Sequence, residues 1–141
     1  MIVLDTNVIS ELMRPEPHSG VLAWVAGQPR GLLYTTHINQ AEILYGIAAL
    51  PDGYPRSALA DAARAVFTED FADRILPFGP AAVVRYADLV TARRQAGNPI
   101  DGFDALIAAT ALAAGASVAT RDTAGFSGCG LIVIDPWASP A

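Results

Sequence analysis

Hydrophobic residues fall along this chain in two rhythms. Ile2-Val3-Leu4 is an unbroken apolar run, which suits a short strand buried on both faces. Asp5 and Thr6 interrupt it, and Val8, Ile9, Leu12 and Met13 resume at helical spacing. A strand therefore ends at a carboxylate, and a helix leaves from that point. Arg14-Pro-Glu-Pro17 breaks the pattern, as paired prolines should, and Val21 to Val25 predict a second short helix ending near Gly27. Leu32 to Thr35 read as a strand followed by a helix over Ile38 to Leu50, and Pro51-Asp-Gly-Tyr-Pro55 as a turn. Residues 57–71 predict a partly exposed helix, and Ile75-Leu-Pro-Phe78 a short strand that Pro77 consigns to a sheet edge. Helices are predicted over Pro80 to Gly97, with Pro in the first turn and Gly at the end, and over Asp101 to Ala114. Ser117 to Thr120 and Leu131 to Ile134 are the last strands.

Strands that alternate with helices imply a mostly parallel sheet covered by helices on both faces, in a single α/β domain over residues 1–141. The inference carries direction. The carboxyl ends of the strands, and the starts of helices feeding later parallel strands, share one edge, where open α/β folds bind ligands.

Composition narrows the reading. Of the residues, 52% are hydrophobic and 16% charged, which excludes wholesale disorder. A net charge of −5 gives no bulk attraction to phosphate, so any nucleic-acid site must be local or supplied by a partner. All 9 basic residues are Arg. The lone Cys129 fits a reducing compartment, and a buried strand from residue 2 leaves no room for a signal peptide. Ala105 to Ala119 is too short and too rich in Ala, Gly and Thr to span a bilayer. A soluble cytoplasmic protein without membrane attachment is expected.

Asp5, Glu42, Asp104 and Asp122 all map to the carboxyl edge. Asp5 ends the first strand, and Glu42 lies early in the helix after the second, the only charge between Ile38 and Leu50. Asp104 lies early in the helix that feeds the strand at 117–120, and Asp122 follows that strand. Each has an ordinary structural reading, as a helix cap, a solvated helix position or a partner of the helix dipole. Together they weaken it. Two carboxylates about 4 Å apart repel by roughly 4 kcal/mol at an effective dielectric near 20. Without Lys nearby, a cluster would carry raised pKa values unless a divalent ion sat among the oxygens. Oxygen donors alone select Mg²⁺ or Mn²⁺, and such a site supports metal-assisted phosphodiester hydrolysis. His18 and His37 lack zinc-ligand spacing.

The segments Ile2-Val-Leu-Asp-Thr-Asn-Val-Ile-Ser-Glu11, Gln40-Ala-Glu-Ile-Leu44, Asp104-Ala-Leu-Ile-Ala-Ala-Thr110 and Val118-Ala-Thr-Arg-Asp122, in this order, resemble the PIN-domain nucleases. Within them the chain is similar to the VapC-type toxins of bacterial toxin–antitoxin pairs, in the FitB-like branch. The resemblance puts the family's acidic quartet, catalytic and metal-binding, on Asp5, Glu42, Asp104 and Asp122. It puts small polar companions that orient those carboxylates on Asn7 and Thr120. It implies a Mg²⁺- or Mn²⁺-dependent endoribonuclease, a homodimer, and a small VapB- or FitA-like antitoxin that blocks the site and carries the DNA-binding module. DNA would then be bound only through the antitoxin. Asp101, one turn before Asp104, reads as an outer or surface residue.

The absence of Lys leaves RNA to be held by Arg, with Arg14, Arg85, Arg93, Arg94 and Arg121 as candidates by charge, and Arg93-Arg94 read first as a solvated helix end. Trp137 is expected to pack on the core or on a dimer mate rather than stack a base. Aspartyl-phosphate enzymes on similar sheets rely on a Lys, which excludes them here. The competing function is a non-catalytic PIN-fold partner in an antitoxin-dependent DNA-binding complex.

Overall fold

The computed structural model describes residues 1–138. Five parallel strands, β1 (Ile2–Leu4), β2 (Leu33–Thr36), β3 (Ile75–Leu76), β4 (Ser117–Ala119) and β5 (Val133–Ile134), lie in the order β3-β2-β1-β4-β5. The expected mostly parallel sheet is thus parallel throughout. Six helices surround it: α1 (Thr6–Leu12), α2 (Ser19–Ala26), α3 (His37–Ala48), α4 (Tyr54–Ala65), α5 (Pro80–Gln95) and α6 (Gly102–Ala114).

Alternation along the central strands explains the two cores. Val3 and Val118 point to one face, where Ala105, Ile107, Ala108, Leu89 and Phe126 bury them under α5 and α6. Leu4 and Ala119 point to the other, against Val8, Ile9, Val21, Ile43 and Phe67. The strand order reverses between β1 and β4, whose register is Leu4 opposite Ala119. Asp5 and Thr120 leave these strands together at that switch point, where neighbouring connections diverge and open a crevice.

Several predicted boundaries shift for local reasons. Tyr54 and Pro55 belong to α4 rather than to the preceding turn, because a proline in the first helical turn forfeits an N–H that has no partner there. The helical run then widens into a single π-type turn over Val66–Asp70, where a continuous helix was expected. β3 stops before Pro77 and pairs only with β2, as an edge strand containing no proline. Trp137 packs against the core on the Leu4 face. Among the described residues no helix is long and apolar enough to cross a membrane.

Arg93 corrects the expectation of a solvated helix end. Arg94 is exposed, but Arg93 is buried, donating through Nε to the Asn98 carbonyl (2.6 Å) and through Nη1 to the carbonyls of Gly125 (3.0 Å) and Ser127 (2.8 Å). Position 93 continues the inward stripe of Ala82 and Leu89 on α5, a helical periodicity that charge alone obscured. Arg93→Met is expected to lower stability by about 3 kcal/mol, since three carbonyls lose charge-assisted hydrogen bonds in the interior. Urea unfolding measures this; a loss within the error of the fit would return Arg93 to the surface category.

Candidate active site

Hydrogen bonds along the carboxyl edge link three of the acidic residues, Asp5, Glu42 and Asp122. Asp5 ends β1 and caps α1, with Oδ1 accepting the Thr6 N–H at 2.8 Å. The same oxygen accepts from Asn39 Nδ2 at 3.1 Å, and Oδ2 accepts from the Thr120 hydroxyl at 2.8 Å. Thr120 Oγ1 in turn receives Asn7 Nδ2 (3.1 Å) and the Asp122 N–H (3.0 Å), while Asn7 Oδ1 takes the Arg121 N–H (3.2 Å). Asp5 is thus a helix cap and also a member of a network in which Thr120 touches its carboxylate and Asn7 reaches it only through Thr120.

A second arm begins at α3. The N–H groups of Ile38 and Asn39 both donate to Thr36 Oγ1, which makes the Thr36 hydroxyl a donor to Asn39 Oδ1 at 2.6 Å. That fixes the Asn39 amide with Nδ2 toward Asp5 Oδ1 and Thr6 Oγ1, each at 3.1 Å. The Thr6 hydroxyl then donates to Glu42 Oε1 at 2.8 Å. Asn39 is fully buried, and sequence reasoning missed both it and Thr6. A buried amide on α3 one turn before Glu42 was the available signal.

Asp104 and Asp122 meet across Gly125. A Cβ added at Gly125 would lie 2.5 Å from Asp122 Oδ2 and 3.0 Å from Asp104 Oδ2, so both carboxylates depend on a bare backbone there. Asp122 Oδ1 accepts the Gly125 N–H at 3.1 Å, and Arg93 holds the Gly125 carbonyl from behind. Asp101 caps α6 by accepting the Phe103 N–H at 3.0 Å and stays exposed. The histidines are occupied elsewhere: His18 Nδ1 caps α2 and His37 Nδ1 contacts Gln40 Oε1. Glu11 pairs with Arg14.

Electrostatics reflect the crowding. Burial raises the pKa of Asp5, against hydrogen bonds from Thr120, Thr6 and Asn39 that favour its charged form. Burial also raises Glu42, opposed by the Thr6 hydroxyl and reinforced by the charges of Asp5 and Asp101. Asp104 moves furthest, up to about 7, through burial first and then the charges of Asp5, Asp101, Asp122 and Glu42. Among the described residues no three His, Cys, Asp or Glu side chains converge as a ready-made ligand set. The donor chemistry nonetheless fits a hard divalent cation. Asp104 experiences four like charges, its donors are all oxygen, and no Lys or Arg pairs with Asp5, Glu42, Asp104 or Asp122 among the described residues. A cavity of about 470 Å³ between α1, α2 and the turn at 66–70 shares no residue with this cluster.

A pH dependence follows. Unfolded Asp104 titrates near 3.8 and folded Asp104 near about 7, so between these values the folded chain holds a proton that the unfolded chain has released. The stability from this group is full below about pH 4 and is lost as pH rises through about 7. Asp5 and Glu42 shift in the same sense. After allowance for solvent screening the loss is about 2 kcal/mol. Metal-free protein is expected to melt several degrees lower at about pH 8 than at about pH 5, and excess MnCl₂ to restore the difference at the higher pH. Calorimetry across pH checks this; a flat profile would contradict the clustering.

Comparisons with known proteins agree on the family. Residues 2–128 match the family described as PIN domain. The chain is 45% identical over 137 residues to a protein of Sinorhizobium fredii named VapC ribonuclease Y4jK, covering 97% of this chain and 98% of that one. It is 38% identical over 137 residues to Toxin FitB of Neisseria gonorrhoeae, covering 97% and 99%. It superposes with a TM-score of 0.92, at 37% identity and over 100% and 99% of the two chains, on a chain of a solved structure described as FitAB bound to IR36 DNA fragment.

Proposed function

The chain belongs to the PIN-domain family, and from that premise we propose that it is the toxin of a toxin–antitoxin pair, an endoribonuclease dependent on Mg²⁺ or Mn²⁺. The observation that carries the reading is the gathering of Asp104 and Asp122 over Gly125 beside the hydrogen-bonded Asp5 and Glu42, where burial first and the neighbouring charges after it push Asp104 up to about 7. A nuclease that manages the charge of a phosphodiester has use for such a cluster; a purely structural edge has none.

Asp5, Glu42, Asp104 and Asp122 are the residues that would hold the ion. When bound, the cation neutralises phosphate charge and lowers the pKa of water. Asp5 is the fixed member, both oxygens oriented by Thr6, Asn39 and Thr120. Thr6 holds Glu42 at the entrance, and Gly125 leaves room for Asp104 and Asp122 to approach. In this reading a water oxygen attacks the scissile phosphorus in line while the bond to the 3′-oxygen breaks. Products carry 5′-phosphate and 3′-hydroxyl ends.

The similarity to FitB, and to the FitAB structure with DNA, supports a partnered, DNA-bound complex; in this proposal the partner is a small antitoxin and DNA is bound only through it. A groove of about 380 Å³ beside Thr6 and Glu42, lined by Met13, Ile43, Ile47 and Leu59, offers a partner segment apolar contact next to the carboxylates. The proposal includes a homodimer, for which exposed Val83 and Val84 on α5 and Phe103 on α6 are candidate contact residues.

The test is cleavage of end-labelled single-stranded RNA by purified, antitoxin-free protein with Mn²⁺, Mg²⁺ or EDTA. Metal-dependent cutting with 5′-phosphate products is expected. Cutting that persists in EDTA, or 2′,3′-cyclic phosphate ends, would overturn the mechanism. No cutting by folded, metal-loaded protein, with DNA binding only beside the antitoxin, would favour the non-catalytic reading.

A further inference from the structure

An anionic site on a chain of net charge −5 repels RNA, so the strand needs a local cation. Most arginines are committed elsewhere. Arg14, Arg30, Arg56 and Arg64 pair with Glu11, Asp70, Asp52 and Asp61. Arg74 donates to the carbonyls of Arg30, Leu33 and Asp70, and Arg93 to those of Asn98, Gly125 and Ser127. Among the described residues Arg85, Arg94 and Arg121 remain without an acidic or carbonyl partner for the guanidinium. Of these, only Arg121 stands between two members of the hydrogen-bonded cluster, Thr120 and Asp122.

Arg121 is also held in place. Its N–H donates to Asn7 Oδ1 at 3.2 Å, and its guanidinium carbon lies 5.2 Å from the centroid of the Trp137 ring. The Trp137 N–H donates to Asp135 Oδ1 at 2.9 Å, and its ring packs on the core at the Leu4 face. The neighbouring Asp122 carboxylate does not take the guanidinium; its Oδ1 accepts the Gly125 N–H instead. Stacking occupies the flat face of a guanidinium and leaves the N–H groups along its edge for a planar or tetrahedral anion. It also removes much of the rotamer entropy that an exposed arginine would lose on binding. We propose that Arg121, seated on the Trp137 indole, grips a phosphate of the RNA backbone and sets the strand against the carboxylates. This assignment rests on the ribonuclease reading above. It gives Trp137 the role of a platform for arginine rather than for a base.

The experiment measures binding of a short, mixed-sequence, fluorescein-labelled single-stranded RNA by anisotropy over a KCl series. The parent is Asp104→Asn in the full chain, which keeps the probe intact. Arg121→Ala, Arg121→Lys, Trp137→Leu and Arg85→Ala are added to it. Arg121→Ala is expected to weaken binding about tenfold and to lower the slope of log K against log salt by about 0.7, the signature of one lost phosphate contact on a single strand. Arg121→Lys keeps the slope and binds about threefold more weakly, because an ammonium cannot lie flat on the indole. Trp137→Leu weakens binding at an unchanged slope, and Arg85→Ala changes neither quantity. Unchanged affinity and slope in Arg121→Ala would overturn the clamp while leaving the ribonuclease reading intact. A parent that binds no RNA at low salt would overturn both.

Discussion

Asp104→Asn is expected to reduce metal-dependent RNA cleavage by about 1,000-fold, or about 4 kcal/mol of transition-state stabilisation, while making the metal-free protein more stable. The two effects have one origin. Asp104 is half-buried and feels Asp5, Asp101, Asp122 and Glu42, so its charge is unfavourable unless a cation compensates. The isosteric amide removes that charge along with a negatively charged oxygen donor. At about pH 8 the gain in metal-free stability is about 2 kcal/mol after screening, and it disappears below about pH 4, where the parent carboxyl is protonated as well. Excess MnCl₂ should raise the melting temperature of the parent and leave the variant nearly unmoved. Stability exchanged for function in this way is common at sites built around strain. A variant that melts with the parent at both pH values, with and without manganese, would show that Asp104 is merely solvated. One that retains cleavage would remove it from the site.

Gly125→Ala is expected to lower cleavage about 100-fold with a change in stability below about 1 kcal/mol. The new methyl would sit 2.5 Å from Asp122 Oδ2 and 3.0 Å from Asp104 Oδ2, inside van der Waals contact for both. The atoms it meets belong to side-chain ends that can swing away, so the fold accommodates the change. The backbone cannot retreat, because Arg93 holds the Gly125 carbonyl at 3.0 Å. The two carboxylates must therefore separate, and a displacement of about 1 Å at reacting groups is enough for a loss of this size. Manganese affinity, read by titration calorimetry, should fall in parallel. Unaltered cleavage would mean that the two aspartates do not need their present positions.

Much of the architecture was legible because it rests on short-range pattern. The apolar run at 2–4, the helical spacing after Thr6 and the alternation of strands with helices led to a parallel sheet with one functional edge. On that edge the structure joins Asp5, Asp122 and Glu42 through hydrogen bonds, and the first turn of α6 sets Asp104 near them, where their like charges oppose its ionisation. The misreadings arose where local pattern competes with packing. Arg93 looked solvated because it is charged and near a helix end, yet the turn at 124–128 closes over it. Tyr54 and Pro55 looked like a turn because proline usually breaks a helix, yet they begin one.

The sequence by itself determined the order and direction of the elements, and hence which residues face the carboxyl edge, because 3.6-residue and 2-residue periodicities dictate which face of each element is buried. Only the tertiary structure decided the partners of those residues. Asn39 reaches Asp5 across 34 positions, Thr120 across 115, and Arg93 supports Gly125 across 32. Such contacts belong to no periodicity. They arise where separate elements close on one another, as β1 and β4 do at the switch point, and a buried polar atom must take whatever partner the fold brings within 3 Å or so.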